Sequence, residues 1–212
     1  MSDPISTKTR PDFPSAPKGE KGRRTYESIL KAAQEILEED GIEALSSNAI
    51  VKRAGVNIPI FYRYFRDKYA LLLVLGKRLT EAQDTVYERA MLAPPPFKFE
   101  ETYVFTRRSM ELIYEVTNSF KGGQPLLIAL RAIPKLAHVR LEASDRLSQL
   151  SARHLMSVNP KISETEAFER CRLGVELGYS TVEILLEVPS LNKDFMIDQT
   201  AKAIAGILLE TG

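Results

Sequence analysis

The chain has 212 residues, 44% of them hydrophobic and 27% charged, with a net charge of +1. That length can bury a proper core, so neither a disulfide nor a metal is needed to hold it together. One cysteine, Cys171, excludes an internal bridge and suits a reducing compartment, and its plainest role is as a small buried hydrophobe. The longest apolar run, Ala70 to Leu75, is far short of the roughly 18 residues of a membrane span. The opening residues lack the apolar centre of a secretion signal, so the expected place is the cytoplasm, away from membranes.

Balanced overall charge announces no partner, but the charge is unevenly placed. Residues 27–43 set Lys31 against Glu27, Glu35, Glu38, Glu39, Asp40 and Glu43, a net −5. Residues 44–68 set Lys52, Arg53, Arg63, Arg66 and Lys68 against Asp67, a net +4. So abrupt a change of sign gives a near-neutral molecule one surface that attracts phosphate.

Residues 1–22 hold Pro4, Pro11, Pro14 and Pro17 among Ser, Thr and Lys, too polar to order themselves, and read as a flexible tail. From Thr25, the residues Tyr26, Ile29, Leu30, Ala33, Ile36 and Leu37 make one face of an amphipathic helix, which Gly41 ends. Ser46 and Ser47 offer caps for a short helix running to about Ala54. Gly55 permits a tight corner, Val56 plugs it, and Asn57 caps the next helix, with Pro59 in a first turn where its missing N–H breaks no bond. Phe61 and Phe65, four apart, face inward, and the whole is a helix-turn-helix.

Beyond Lys68 the helical spacing continues. Leu72, Leu75, Leu79, Ala82, Val86 and Ala90 form a long stripe stopped by Pro94, Pro95 and Pro96. Further helices are expected over Phe99–Ser119, about Pro125–Ile133, a segment ending before Pro160, Glu164–Val188 and from about Lys193. No alternating strand pattern and no fixed-period repeat occurs, so the fold class is all-α. The expected division is a tail over 1–22, a helix-turn-helix domain over 23–70 and a helical body over 71–212.

The segment from Glu164 is apolar on two sides, one with Cys171, Gly174, Val175, Gly178, Val182 and Leu185, the other with Phe168, Leu177, Ile184 and Val188. A helix apolar on two sides is covered on two sides, by its own core and by a second subunit. The first of these stripes, with Met196, Ala203 and Ile207 of the last helix, is the expected contact of a two-fold homodimer, its glycines admitting a neighbouring helix closely.

The stretches ILKAAQEILEEDGIEAL, IVKRAGV and FYRYFRDKYALL resemble the DNA-binding region of the TetR family of regulators. Gly41, Ala54, Gly55, Val56, Tyr62, Phe65 and Lys68 occupy the family's motif positions. The likeness covers about 46 residues; the rest resembles the family in helix number and length only. It implies a transcription regulator, most simply a repressor, binding a double-stranded DNA operator and modulated by a small effector held in the helical body. Tyr62, Tyr64 and Lys68 are then expected on phosphates, and Arg63 on a base or phosphate. Ser46, Ser47 and Asn48 lie where a helix N-terminus meets phosphate, and Arg23 and Arg24 within reach of an adjacent groove. Asn57, Ile58, Pro59 and Ile60 open the recognition helix. Here the sequence departs from the usual small or polar residue, Gly and Thr, leaving apolar contact to thymine methyls in place of hydrogen-bonded readout. Tyr69 stands where the family is usually acidic.

Tyr103, Arg107, Met110, Arg131, His138 and His154 are the expected effector contacts, an aromatic and polar set on the middle helices. An enzyme finds no support: His138 and His154 are the only histidines, no GxSxG, HExxH, GxGxxG or phosphate-loop pattern occurs, and no metal or cofactor is implied. The rival reading is a helical dimeric adaptor that binds protein, favoured by Ile58 and Ile60.

Overall fold

The computed structural model describes residues 14, 16–96 and 98–209. Among them are nine helices and no strand: α1 Glu20–Asp40, α2 Ser47–Ala54, α3 Ile58–Tyr64, α4 Lys68–Ala90, α5 Phe99–Ser119, α6 Gly123–Ala132, α7 Ala137–Val158, α8 Glu164–Glu187 and α9 Lys193–Leu209. Most of the expected tail lies outside the described residues. Its last three residues, Glu20–Gly22, already form the first turn of α1, which starts five residues before Thr25.

The turn chemistry is local and complete. Ser46 caps α2 by accepting the Ala49 N–H at 3.1 Å, Asn57 caps α3 through Ile60, and Asp67 caps α4 through Ala70 at 2.8 Å. Gly55 sits at φ +67°, ψ 30°, the left-handed conformation that a side chain resists. This is what lets α2 and α3 meet at a tight corner.

Phe61 and Phe65 are fully buried, with ring centroids 5.8 Å apart. Tyr26 of α1 stacks on Phe65 at 5.0 Å and meets Tyr64 edge-on at 5.8 Å. An aromatic cluster of this kind adds to its area burial through ring geometry. The same buried cluster runs on through Leu71, Leu72 and Leu75 of α4 to Leu126 and Leu130 of α6 and Val182 and Leu186 of α8. The short helices are therefore joined to the body through one continuous apolar core. Between α4 and α5, Gln83 donates to Thr117 at 2.8 Å and Thr117 donates to the Ile113 carbonyl, so the buried Thr117 hydroxyl both accepts and donates.

The first apolar stripe of α8 is turned inward rather than toward a partner, and of the second, Phe168 and Leu177 also pack within the subunit. Cys171, Gly174, Val182 and Leu185 are buried inside the subunit, while Leu173 and Ile184 are 50% and 38% exposed. A Cβ on Gly174 would meet Ile204 of the same chain's α9 at 3.2 Å, so the glycine admits its own neighbour and not a partner's helix. Met196 is likewise packed inward, on the cluster of Met110, Leu185 and Ile204. Ala203 is exposed and Ile207 half-buried, and these two do lie toward the outside of α9.

Candidate nucleic-acid interface and effector cavity

Once Phe61 and Phe65 are committed to the core, helical periodicity decides what α3 shows to solvent. Pro59, Tyr62 and Arg63 are exposed, Tyr62 to 55%, with Asn57 beside them at the cap. Ile58 is half-buried, and Ile60 is half-buried against the core of the short helices, so it is in part a packing residue and less free to meet thymine methyls than expected. Tyr64 is also half-buried, its ring against Tyr26.

The cations sort themselves by partner. Arg53 binds Glu39 at 2.5 Å and lies 3.7 Å from Asp40, so one charge of the basic segment is returned to the acidic end of α1. Arg24 pairs with Glu20 one turn away, and Arg66 lies 3.8 Å from Asp67. Lys52 and Arg63 are exposed without an ion pair among the described residues. Arg23 and Arg24 stand on the first turns of α1 and not on a tail.

Lys68 donates from Nζ to the Leu45 carbonyl at 3.0 Å, tying the start of α4 to the loop before α2. An ammonium carries three donors, so this anchor leaves others for a phosphate. Its neighbour Tyr69 has the ammoniums of Lys68 and Lys135 over its ring at 5.8 and 5.2 Å, a use that its sequence position did not disclose. Ser46, Ser47 and Asn48 surround the N-terminus of α2, where Ser46 and Asn48 are exposed and Ser47 is half-buried.

This arrangement has recognisable relatives. Residues 29–75 match the family model described as bacterial regulatory proteins, tetR family. Over these residues the chain is similar to the TetR family. An HTH-type transcriptional regulator of Bacillus subtilis, YvdT, is 33% identical over 94 residues, 42% of this chain and 48% of that protein. The HTH-type transcriptional regulator EthR of Mycolicibacterium smegmatis is 33% identical over 98 residues, 46% and 42% of the two chains. The matched part thus spans about half the length of these relatives. The solved structure of the fatty acid degradation regulator FadR from Bacillus halodurans covers 90% of this chain and 97% of its own, with a TM-score of 0.64 at 14% identity, which extends the shared fold to the helical body.

Within the helical body, α4, α5, α7, α8 and α9 enclose a cavity of about 110 Å³. Roughly 10–15 Å³ suffices for one water, so this is room for a small molecule. Of the six expected effector residues, Met110 and His154 line it. The other four lie outside its lining. Tyr103 donates to Asp198 at 2.6 Å, Arg107 pairs with Glu111 at 3.2 Å, Arg131 with Glu183 at 2.7 Å, and His138 stands in the first turn of α7. His154 Nε2 lies 2.9 Å from the Pro95 carbonyl, and since a carbonyl only accepts, that nitrogen carries the proton and holds the α4–α5 loop against α7.

Cavity residues that the sequence reading passed over include Tyr87, Ser109, Ser151 and Tyr179. Tyr87 bonds Ser151 at 2.8 Å, and Ser151 donates to Leu147, which makes the tyrosine the donor of that pair. Burial pushes the Tyr87 phenol up to about 12 and the Cys171 thiol up to about 12, and pushes Tyr179 upward too, so all three stay neutral at physiological pH. A signal for the cavity was present in Cys171, Gly174 and Gly178: small residues repeated on the inward face of α8 leave space unfilled.

Proposed function

We propose that this protein is a homodimeric transcription regulator of the TetR family, a repressor acting in the cytoplasm, that binds operator DNA through α3 and releases it when a small molecule occupies the cavity. The observation that carries the reading is the split of α3. Phe61 and Phe65 fix the helix to the core, and the corner at Gly55 presents Pro59, Tyr62 and Arg63 together to solvent. A short helix held this way can enter a major groove, where Arg63 and Tyr62 reach bases or phosphates, while Lys52, Lys68 and the N-terminus of α2 meet the backbone. The reading also draws on the similarity to the named regulators YvdT and EthR.

Two copies are required for two half-sites, and the uncovered faces of α8 and α9, with Leu173, Ile184, Ala203 and Ile207, supply the contact. Ligand occupancy acts only as far as it favours one spacing of the heads over another. Ile60, one of the two residues that favoured a protein-binding adaptor, packs on the domain's own core, and so lends that rival less weight. Footprinting on DNA flanking the protein's own coding region tests the reading: two protected half-sites are expected. An adaptor would leave the DNA unprotected and pass over immobilised duplex without salt-sensitive retention.

A further inference from the structure

The chemistry of the effector can be narrowed, given the reading of the cavity as its site. None of the side chains lining the cavity is Asp, Glu, Lys or Arg. The ion pair nearest Tyr179 in electrostatic effect, Asp84 with Arg146 at 2.7 Å, compensates itself. An ionised ligand would therefore give up its hydration with no counter-charge in return, a loss that apolar contact does not recover. Among the uncharged polar groups of the lining, two stand apart. The hydroxyls of Ser109 on α5 and Tyr179 on α8 are buried and have no hydrogen-bond partner among the described residues, although both residues line the cavity. A helical serine ordinarily turns its hydroxyl back to a carbonyl of its own helix, as Ser148 and Ser151 do. Ser109 does not, and a buried donor left unmet is costly.

We propose that the cavity takes an uncharged, mostly hydrocarbon molecule whose carbonyl oxygen accepts from Tyr179, with Ser109 as the second donor. The neutral phenol is the right species for this, since it donates and brings no charge of its own. Tyr87 and Ser151, already bonded to each other, form wall and take no part in recognition.

The test is calorimetric titration of the full chain with methyl octanoate, octanoate and octylammonium at neutral pH, alongside Tyr179→Phe and Ser109→Ala. The ester is expected to bind at least about tenfold tighter than either ion, and Tyr179→Phe to weaken the ester by about five- to tenfold. Because each variant removes a hydroxyl without a partner, the melting temperature of the unliganded protein is expected to hold or rise, which a structural role for these groups would not allow. Tighter binding of octanoate, no binding of the ester, or ester affinity indifferent to both variants would overturn the proposal. Anisotropy of labelled operator duplex in the same solutions separates the two levels. Ester binding with unchanged DNA affinity would contradict the regulator reading and leave the ligand chemistry standing; intact DNA binding without ester binding would do the reverse.

Discussion

Glu38, near the end of α1, accepts the backbone N–H of Gly122, at the corner before α6, at 2.7 Å. Gln34 donates to the Lys121 carbonyl at 3.2 Å and Glu35 lies 3.6 Å from the Lys121 ammonium, so two successive residues of the corner rest on one face of α1. The corner ends α5, which lines the cavity, and α1 frames the short helices α2 and α3. Gly122 lies at φ +71°, and a Cβ there would meet Leu37 Cβ at 2.8 Å. Gly122→Ala is therefore expected to cost about 1–3 kcal/mol through backbone strain and crowding, read as a lower urea midpoint. An unchanged midpoint would mean that the corner is not clamped.

Lys68 stands between two roles. Lys68→Ala strands the Leu45 carbonyl and is expected to cost about 1 kcal/mol of stability. If the ammonium also meets a phosphate, the same variant lowers the dependence of log K on log salt by about one unit. Loss of stability with an unaltered salt dependence would confine Lys68 to the internal anchor.

The pair Arg78–Glu27 joins α4 to α1 through two hydrogen bonds of 2.7 and 2.6 Å. The Arg78 guanidinium holds the Glu27 carboxyl below its usual range. A carboxyl lowered by folding contributes stability above its unfolded value of about 4.3, and that contribution is lost as pH falls through the folded value. Both side chains are more than a third exposed, so solvent keeps the contribution under about 1 kcal/mol. Glu27→Gln should thus be slightly less stable than the parent at pH 7, with the difference shrinking as the pH falls into the acid range. A difference that does not shrink in acid would place the effect elsewhere.

The proposed dimer contact lies on the outward faces of α8 and α9. Ile184→Glu combined with Ala203→Glu puts like charges on an apolar contact and is expected to give monomers in sedimentation velocity while helical content is kept. A dimer surviving both changes would move the interface to another face.

Much of the fold was legible because it is fixed by neighbours in sequence. Phe99–Ser119 matches α5 at both ends, and Ser46, Gly55 and Asn57 perform their capping and turning where they stand. What failed depended on distant chain. The two apolar stripes of α8 look alike in sequence, and only the position of α9 decides that Gly174 faces inward. Arg107, Arg131 and Tyr103 read as ligand groups until Glu111, Glu183 and Asp198 take them. Of these only Glu111 is near in sequence. The start of α1 was missed because Gly22 and the nearby Pro17 argue locally against a helix that the packing of Tyr26 sustains.

The claim on which the rest depends is that the exposed face of α3 meets DNA, and it is tested by the salt dependence of duplex binding by the parent chain and by Arg63→Ala. Salt-sensitive, sequence-selective binding is expected for the parent, with Arg63→Ala losing either about one unit of salt slope or about 1–3 kcal/mol of base discrimination. Binding that is insensitive to salt, or a variant that matches the parent in both slope and selectivity, would contradict it.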